Sequence, residues 1–294
     1  MNDPRLELFH TLQAAGVAPA SPSELVPDGR LHRHHVEGDR RGTRNGWHVL
    51  HLDPPASGAG GSWKTGARAN WCAKHSRSLN QVELAILRRR VEQERTIAQT
   101  EQEARHREAA KRGAWVWEHA KAADIAHGYL RRKALMPGIA RQHGDALVLP
   151  VLDFSGRLRG VQYIRPDGQK RFLGGMKKAG AFIPATGKPD GTRPLWIAEG
   201  WGTACTLQNL RPSVCVIAGL DAGNLASVAT EARRRWPALD IVICPDFDQV
   251  GTAKAKDAAI AARARILPPP AQIPEGATDW NDVVTAKREE ATHA

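Results

Sequence analysis

Carboxylates recur at set intervals in the last third of this 294-residue chain. Glu199-Gly200 follows the apolar run 195–198, and Gly219 and Asp221 follow 214–218. Asp246-Phe247-Asp248 follows 240–244, and Asp279-Trp280-Asn281-Asp282 comes further on. Any one of these could be a helix N-cap or a loop acid, since Asp and Asn favour those positions. A set at successive strand ends points elsewhere. Clustered carboxylates raise one another's pKa and need a counter-charge. Oxygen-only ligands suit Mg²⁺ or Mn²⁺.

The elements that would position these acids can be read from periodicity. The three apolar runs are short and continuous, as strands buried on both faces are. Helical patterns follow them, through Leu210 and over 224–236 and 252–266. Strand alternating with helix predicts a parallel α/β sheet, with functional groups gathered at the strands' carboxyl ends. Asn224 is expected to cap the second helix.

Upstream the organisation changes. Residues 113–135 read as one amphipathic helix ended by Pro137-Gly138. Turn signals at 153–156 and 166–168 divide a β-meander of about three strands. Residues 79–112 read as a polar connecting helix. Glu101 with Arg105, Glu103 with Arg107 and Glu108 with Arg112 are i,i+4 pairs suited to a solvated strut. Residues 1–78 form a small, basic, turn-rich α+β unit. The expected divisions are thus 1–78, 79–112, 113–193 and 194–294.

Composition narrows the class. Lys and Arg number 42 against 31 Asp and Glu, a net charge of +11, which suits a polyanionic partner. No apolar run is long enough to span a membrane, and no secretory signal is visible, so a cytoplasmic protein is expected. Of Cys72, Cys205, Cys215 and Cys244, the last three lie in apolar segments, which argues against a disulfide framework.

The ordered set Ile197-Ala198-Glu199-Gly200, Ala218-Gly219, Pro245-Asp246-Phe247-Asp248 with Gly251, and Asp279-Trp280-Asn281-Asp282 resembles a Toprim domain over 194–290. Bacterial-type primases, topoisomerases, certain nucleases and recombination mediators share that domain. The segments 149–156, 160–165 and 170–173 resemble the subdomain that precedes it in primases of plasmids, phages and integrative elements. The motifs in 28–47 resemble the zinc-free amino-terminal domain of mobile-element primase–helicases.

The resemblance implies a DNA primase that joins ribonucleotides into short RNA primers on single-stranded DNA. Glu199 would act in acid–base transfer or ligate metal. Asp246 and Asp248 would hold Mg²⁺ or Mn²⁺, with Asp279 and Asp282 as a trailing pair. Arg165, Lys170 and Lys177 or Lys178 match the basic residues that contact triphosphate or nucleic acid. Thr203 stands where cellular primases carry a further acid. A replicative helicase would act in trans or from an absent carboxy-terminal part. A Toprim nuclease and a non-catalytic single-strand binder are the alternatives. Too few tyrosines and too short a chain argue against a topoisomerase.

In the amino-terminal unit Arg33, Lys64 and Trp63, with Trp47 or Trp71, are candidates for template contact, the rings by stacking on bases. The same tryptophans could instead form the small core. Residues 58–65 imitate a phosphate-binding loop, but Trp63 precedes Lys64 where glycine is required. Cys72 and His75, with His32, His34, His35, His48 and His51 upstream, make only one Cys-x-x-His pair, so no structural zinc is expected.

Overall fold

The computed structural model describes residues 3–74 and 79–293. The chain divides into two compact units, 1–103 and 104–294. No helix among the described residues is long and apolar enough to cross a membrane.

In the first unit, α1 (Pro4–Ala14) precedes an antiparallel sheet in sequential order: β1 (His32–His34), β2 (Gly46–His51), β3 (Ser57–Ser62) and β4 (Arg68–Cys72). Leu8 and Leu12 of α1 are buried against Leu25 and Leu50. Glycines in β3 permit this approach. A Cβ at Gly58 would lie 2.8 Å from Leu8 Cδ2, and one at Gly60 2.6 Å from Leu12 Cδ2. Leu6 of the same helix stays exposed.

The long helix α2 (Gln81–His119) begins in this unit and runs through the expected break at 112. Its Arg90 bonds to Asp53, the Pro55 carbonyl and Ser57. Beyond residue 104 the helix is no bare strut. Ala109 is fully buried, and a Cβ at Gly113 would stand 2.8 Å from Gly160 Cα. Glu108 pairs with Lys111 rather than Arg112, which donates to the Gly174 carbonyl.

The second unit corrects the single helix expected over 113–135. The helix stops at His119, and β5 (Lys121–Ala122) joins a sheet before the short α3 (Gly128–Arg132). That sheet continues with β6 (Arg141–His143), β7 (Ala146–Leu152), β8 (Leu158–Ile164) and β9 (Lys170–Phe172), antiparallel throughout. The break leaves Ile125 exposed, whereas Tyr129 and Leu130 enter the core.

The rest is the expected parallel sheet. In chain order it comprises β10 (Ile183–Pro184), β11 (Leu195–Ala198), α4 (Trp201–Leu210), β12 (Cys215–Ala218), α5 (Leu225–Arg235), β13 (Ile241–Cys244), α6 (Gln249–Ala262), β14 (Arg265–Ile266) and α7 (Trp280–His293). Spatial order is β10-β12-β11-β13-β14, with only β10 antiparallel. Leu195, Ile197, Val216, Ile217 and Ile243 are fully buried, as a sheet covered on both faces requires. The molecule is therefore a mixed α/β protein whose first parallel strand, β11, lies mid-sheet. Asn224 takes the expected N-cap position of α5, but its side chain makes no capping bond. Its side chain instead accepts from Gly180 N–H and donates to the carbonyls of Ala181 and Gly219, knitting two loops together.

Candidate active site

β11 and β13 are hydrogen-bonded neighbours with Ala198 opposite Cys244. Their carboxyl ends therefore deliver Glu199 and Asp246 side by side. The Asp246 N–H donates to Glu199 Oε1 at 3.3 Å. Asp248 caps α6, its Oδ1 accepting from Gly251 N–H at 2.6 Å. A Cβ on Gly251 would stand 2.4 Å from Glu199 Oε1 and 3.3 Å from Asp248 Oδ1. Glycine here makes room for the glutamate rather than supplying unusual backbone freedom.

The acids strain against one another. Burial raises the Asp246 carboxyl to about 7, and the charges of Glu199, Asp279 and Asp248 add to this, while Lys170 opposes it. Asp246 Oδ1 is buried without a hydrogen-bond partner. Burial likewise raises Glu199, aided by Asp248 and Asp221 and countered by the Asp246 N–H. Like-charged oxygens held out of water, one of them orphaned, are the kind of donors that a hard divalent cation takes. Among the described residues, no three such side chains lie close enough together to hold a metal ion.

The trailing acids are divided in their partners. Asp282 is engaged on both oxygens, Oδ1 by Lys133 at 2.6 Å and Oδ2 by Thr278 at 3.0 Å. Burial would raise its pKa, but these bonds outweigh it and hold the carboxyl below the usual range. Asp279 lies 3.5 Å from Lys133 and faces Asp246 electrostatically. Phe247 N–H to the Thr278 carbonyl, 2.8 Å, ties the two acidic loops together. Buried Asn281 bonds to the Lys133 carbonyl and Thr206. Nothing in the spacing of the sequence marks Lys133, which follows α3 nearly 150 residues before the acids it holds. Thr203 is buried in α4 and adds no carboxylate.

The basic candidates fall into three places. Lys170 on β9 reaches the site, with Nζ 3.5 Å from where a Gly200 Cβ would be. Lys178 lies over the Phe172 ring and pairs with Asp221, while exposed Lys177 lines an adjoining groove. Arg165 faces Asp145 at 3.7 Å instead of the acids.

In the amino-terminal unit, Arg33, Trp47, Gly61 and Arg68 stand in one cross-strand row. Arg68 lies over Trp47, and the Trp63 ring is 5.8 Å from it. Trp47 is a core residue; Trp63 is half-buried, with Nε1 unpartnered. Lys64 is tied to Asp39 at 2.5 Å. His75 lies outside the described residues, so the Cys72–His75 pair has no geometry here. The upstream histidines have other partners. His48 Nε2 accepts from Val26 N–H, His34 and His48 join through their Nδ1 atoms at 3.2 Å, and His34 Nε2 donates to the Val17 carbonyl.

Comparison with known proteins agrees with the geometry. Residues 194–290 match the family described as Toprim domain. Over 282 residues the chain is 29% identical to DNA primase TraC of Escherichia coli, covering 90% of this chain and 26% of that protein. A second Escherichia coli TraC primase is 28% identical over 254 residues, 84% of this chain and 17% of the relative. The chain thus spans about a quarter or less of these relatives' length. Among solved structures, the primase fragment of the bacteriophage T7 primase-helicase protein aligns with TM-score 0.44 and 14% identity, over 60% of this chain and 75% of that one. The zinc-binding and RNA polymerase domains of Aquifex aeolicus primase align at 0.45 and 13%, over 100% and 84%. With its acids in order at the ends of a parallel sheet, the segment 194–290 matches the Toprim domain family, and the chain is similar over most of its length to the TraC DNA primases.

Proposed function

We propose that this chain is a primase that joins ribonucleotides into a short primer on single-stranded DNA. The observation that carries the reading is the pairing of Glu199 with Asp246 across β11 and β13, with Asp246 Oδ1 buried and unpartnered. Glu199, Asp246 and Asp248 would hold Mg²⁺ or Mn²⁺, with Asp279 beside them. Bound there, such a cation lowers the pKa of a 3′-hydroxyl and stabilises the leaving pyrophosphate.

The chain's own residues position and neutralise. Glu199 stands closest to Asp246 and is raised toward the protonated form, which suits it to exchange a proton at the hydroxyl. Lys170 is the cation whose charge opposes the raised Asp246 carboxyl, and it would receive triphosphate oxygens. Lys133 keeps Asp279 and Asp282 at the rim of the site. Trp63, beside the Trp47 ring that Arg68 covers, would supply a platform for template bases, with Arg33 and Arg68 as the cations of that face. Lys64 contributes less charge than its type suggests, because Asp39 already neutralises it. The TraC relatives support the primase reading over the other Toprim chemistries, and a helicase on a separate chain or segment is the expected partner.

The test is primer synthesis on mixed-sequence single-stranded DNA with labelled ribonucleotides, with and without Mg²⁺ or Mn²⁺. Short oligoribonucleotides that need the metal and vanish with Asp246→Ala are expected. Degradation of the DNA would replace this reading with a nuclease, and binding without chemistry would leave an accessory protein.

A further inference from the structure

An open groove of about 710 Å³ lies between the β7–β8 turn, the 177–181 loop and the outer face of α5. Its walls carry Arg157, Arg159, Lys177, Arg234 and Arg235 against two acids, Asp153 and Glu231. The difference, five less two, is three positive charges. Both acids are already engaged. Asp153 accepts from Arg157 at 3.2 Å and Arg159 at 2.6 Å, and Glu231 holds Arg234 through two bonds of 2.6 and 2.9 Å. These pairs fix the guanidinium planes and leave outward N–H groups for a ligand. Among the described residues, Lys177 and Arg235 show no carboxylate partner.

The floor is made of small residues. Ala226, Ser227 and Thr230 lie on one stripe of α5, so a ligand backbone can settle between the basic walls. No ring is free to stack on a base. Phe154, the aromatic of the lining, is packed against Phe182 and Trp236. A ligand here is held by its anionic backbone. The groove also has a direction. One end is at Lys177, next to Lys178 and its partner Asp221, whose charge reaches Glu199. The other is at Arg235, the last residue of the 11-residue helix. Along α5 the lining runs from Ala226 to Arg235, about 14 Å at ~1.5 Å per residue, or about four stacked nucleotides at ~3.4 Å each.

We infer that this groove carries the phosphate backbone of a single nucleic-acid strand toward or away from the acidic site, without reading its sequence. The inference rests on the primase reading above and extends it to Arg157, Arg234 and Arg235.

The test measures binding of a labelled 20-nucleotide single strand to the full chain across a salt series. In Arg157→Gln/Arg234→Gln/Arg235→Gln, affinity should fall at least about tenfold, and the log–log salt slope should shrink by about 2, as for three phosphate contacts on a single strand. Ser227→Glu/Thr230→Glu, which alters two solvent-facing positions and no arginine, should weaken binding similarly. Different strand sequences should suffer equally. Wild-type affinity and slope in both variants would overturn the inference, as would displacement of the strand by polyglutamate of equal charge as readily as by unlabelled DNA, which would indicate an acidic protein partner. Asp246→Asn separates the two claims. Lost synthesis with retained binding supports both. If the wild type makes no primer yet loses strand binding in the groove variants, the groove stands and the primase reading falls.

Discussion

At the residue scale, Gly251 is a tight constraint on the acidic site. Its missing side chain leaves room for the Glu199 carboxylate, since a Cβ would stand 2.4 Å from Oε1. Alanine in a helix is better by up to about 1 kcal/mol than glycine, and a flexible carboxylate can swing aside. Gly251→Ala should therefore leave the melting temperature unchanged or raised while cutting primer synthesis at least about tenfold. Asp246→Asn isolates the repulsion among the acids. Without divalent cation it should melt higher than the wild type, because one buried like charge is gone. Added Mg²⁺ should then stabilise the wild type and not the variant, which thermal scans across a Mg²⁺ series would show.

Between elements, Lys133 links the end of α3 to the acids at the start of α7. Removing it leaves two partly buried carboxylates without their cation. Lys133→Met should cost about 1–2 kcal/mol after allowance for their exposure. Much of that should return in Lys133→Met/Asp282→Asn, a double-mutant comparison by denaturant unfolding. β1 and β2 carry a different dependence. The bonds among Val26, His48, His34 and Val17 are satisfied when both imidazoles are neutral. Burial lowers His34, and burial with the neighbouring His34 and His32 lowers His48 to about 3. A histidine depressed on folding stabilises above its unfolded pKa, so this contribution is complete above about 6.5 and lost as pH falls toward about 3. Acid titration followed by tryptophan fluorescence should show loosening in that window, and His48→Gln should flatten it.

Over the whole molecule the two responses lie in different units, the histidine network in 1–103 and the acids in 104–294. Hydrogen exchange should show acid lowering protection first in β1 and β2, and Mg²⁺ raising it at the β11 and β13 ends. The excess of positive charge is unevenly available. Lys64, Arg157, Arg159 and Arg234 are paired with acids, while Lys177 and Arg235 show no carboxylate partner among the described residues.

By itself the sequence determined the parallel sheet, the order of its acids and the Toprim motifs, because strand periodicity and residues at strand ends are local properties. It misplaced the end of α2 and the bonding of the Asn224 side chain, where a sheet pairing and a loop contact overrode local pattern. Only the tertiary structure decided which charges meet. Lys133 joins Asp282 across 149 positions, Arg112 turns from Glu108 to the Gly174 carbonyl, and Gly251 is shaped by Glu199. Such neighbours carry no periodic signal, since Coulomb energy and steric room depend on distance in space and not on separation along the chain.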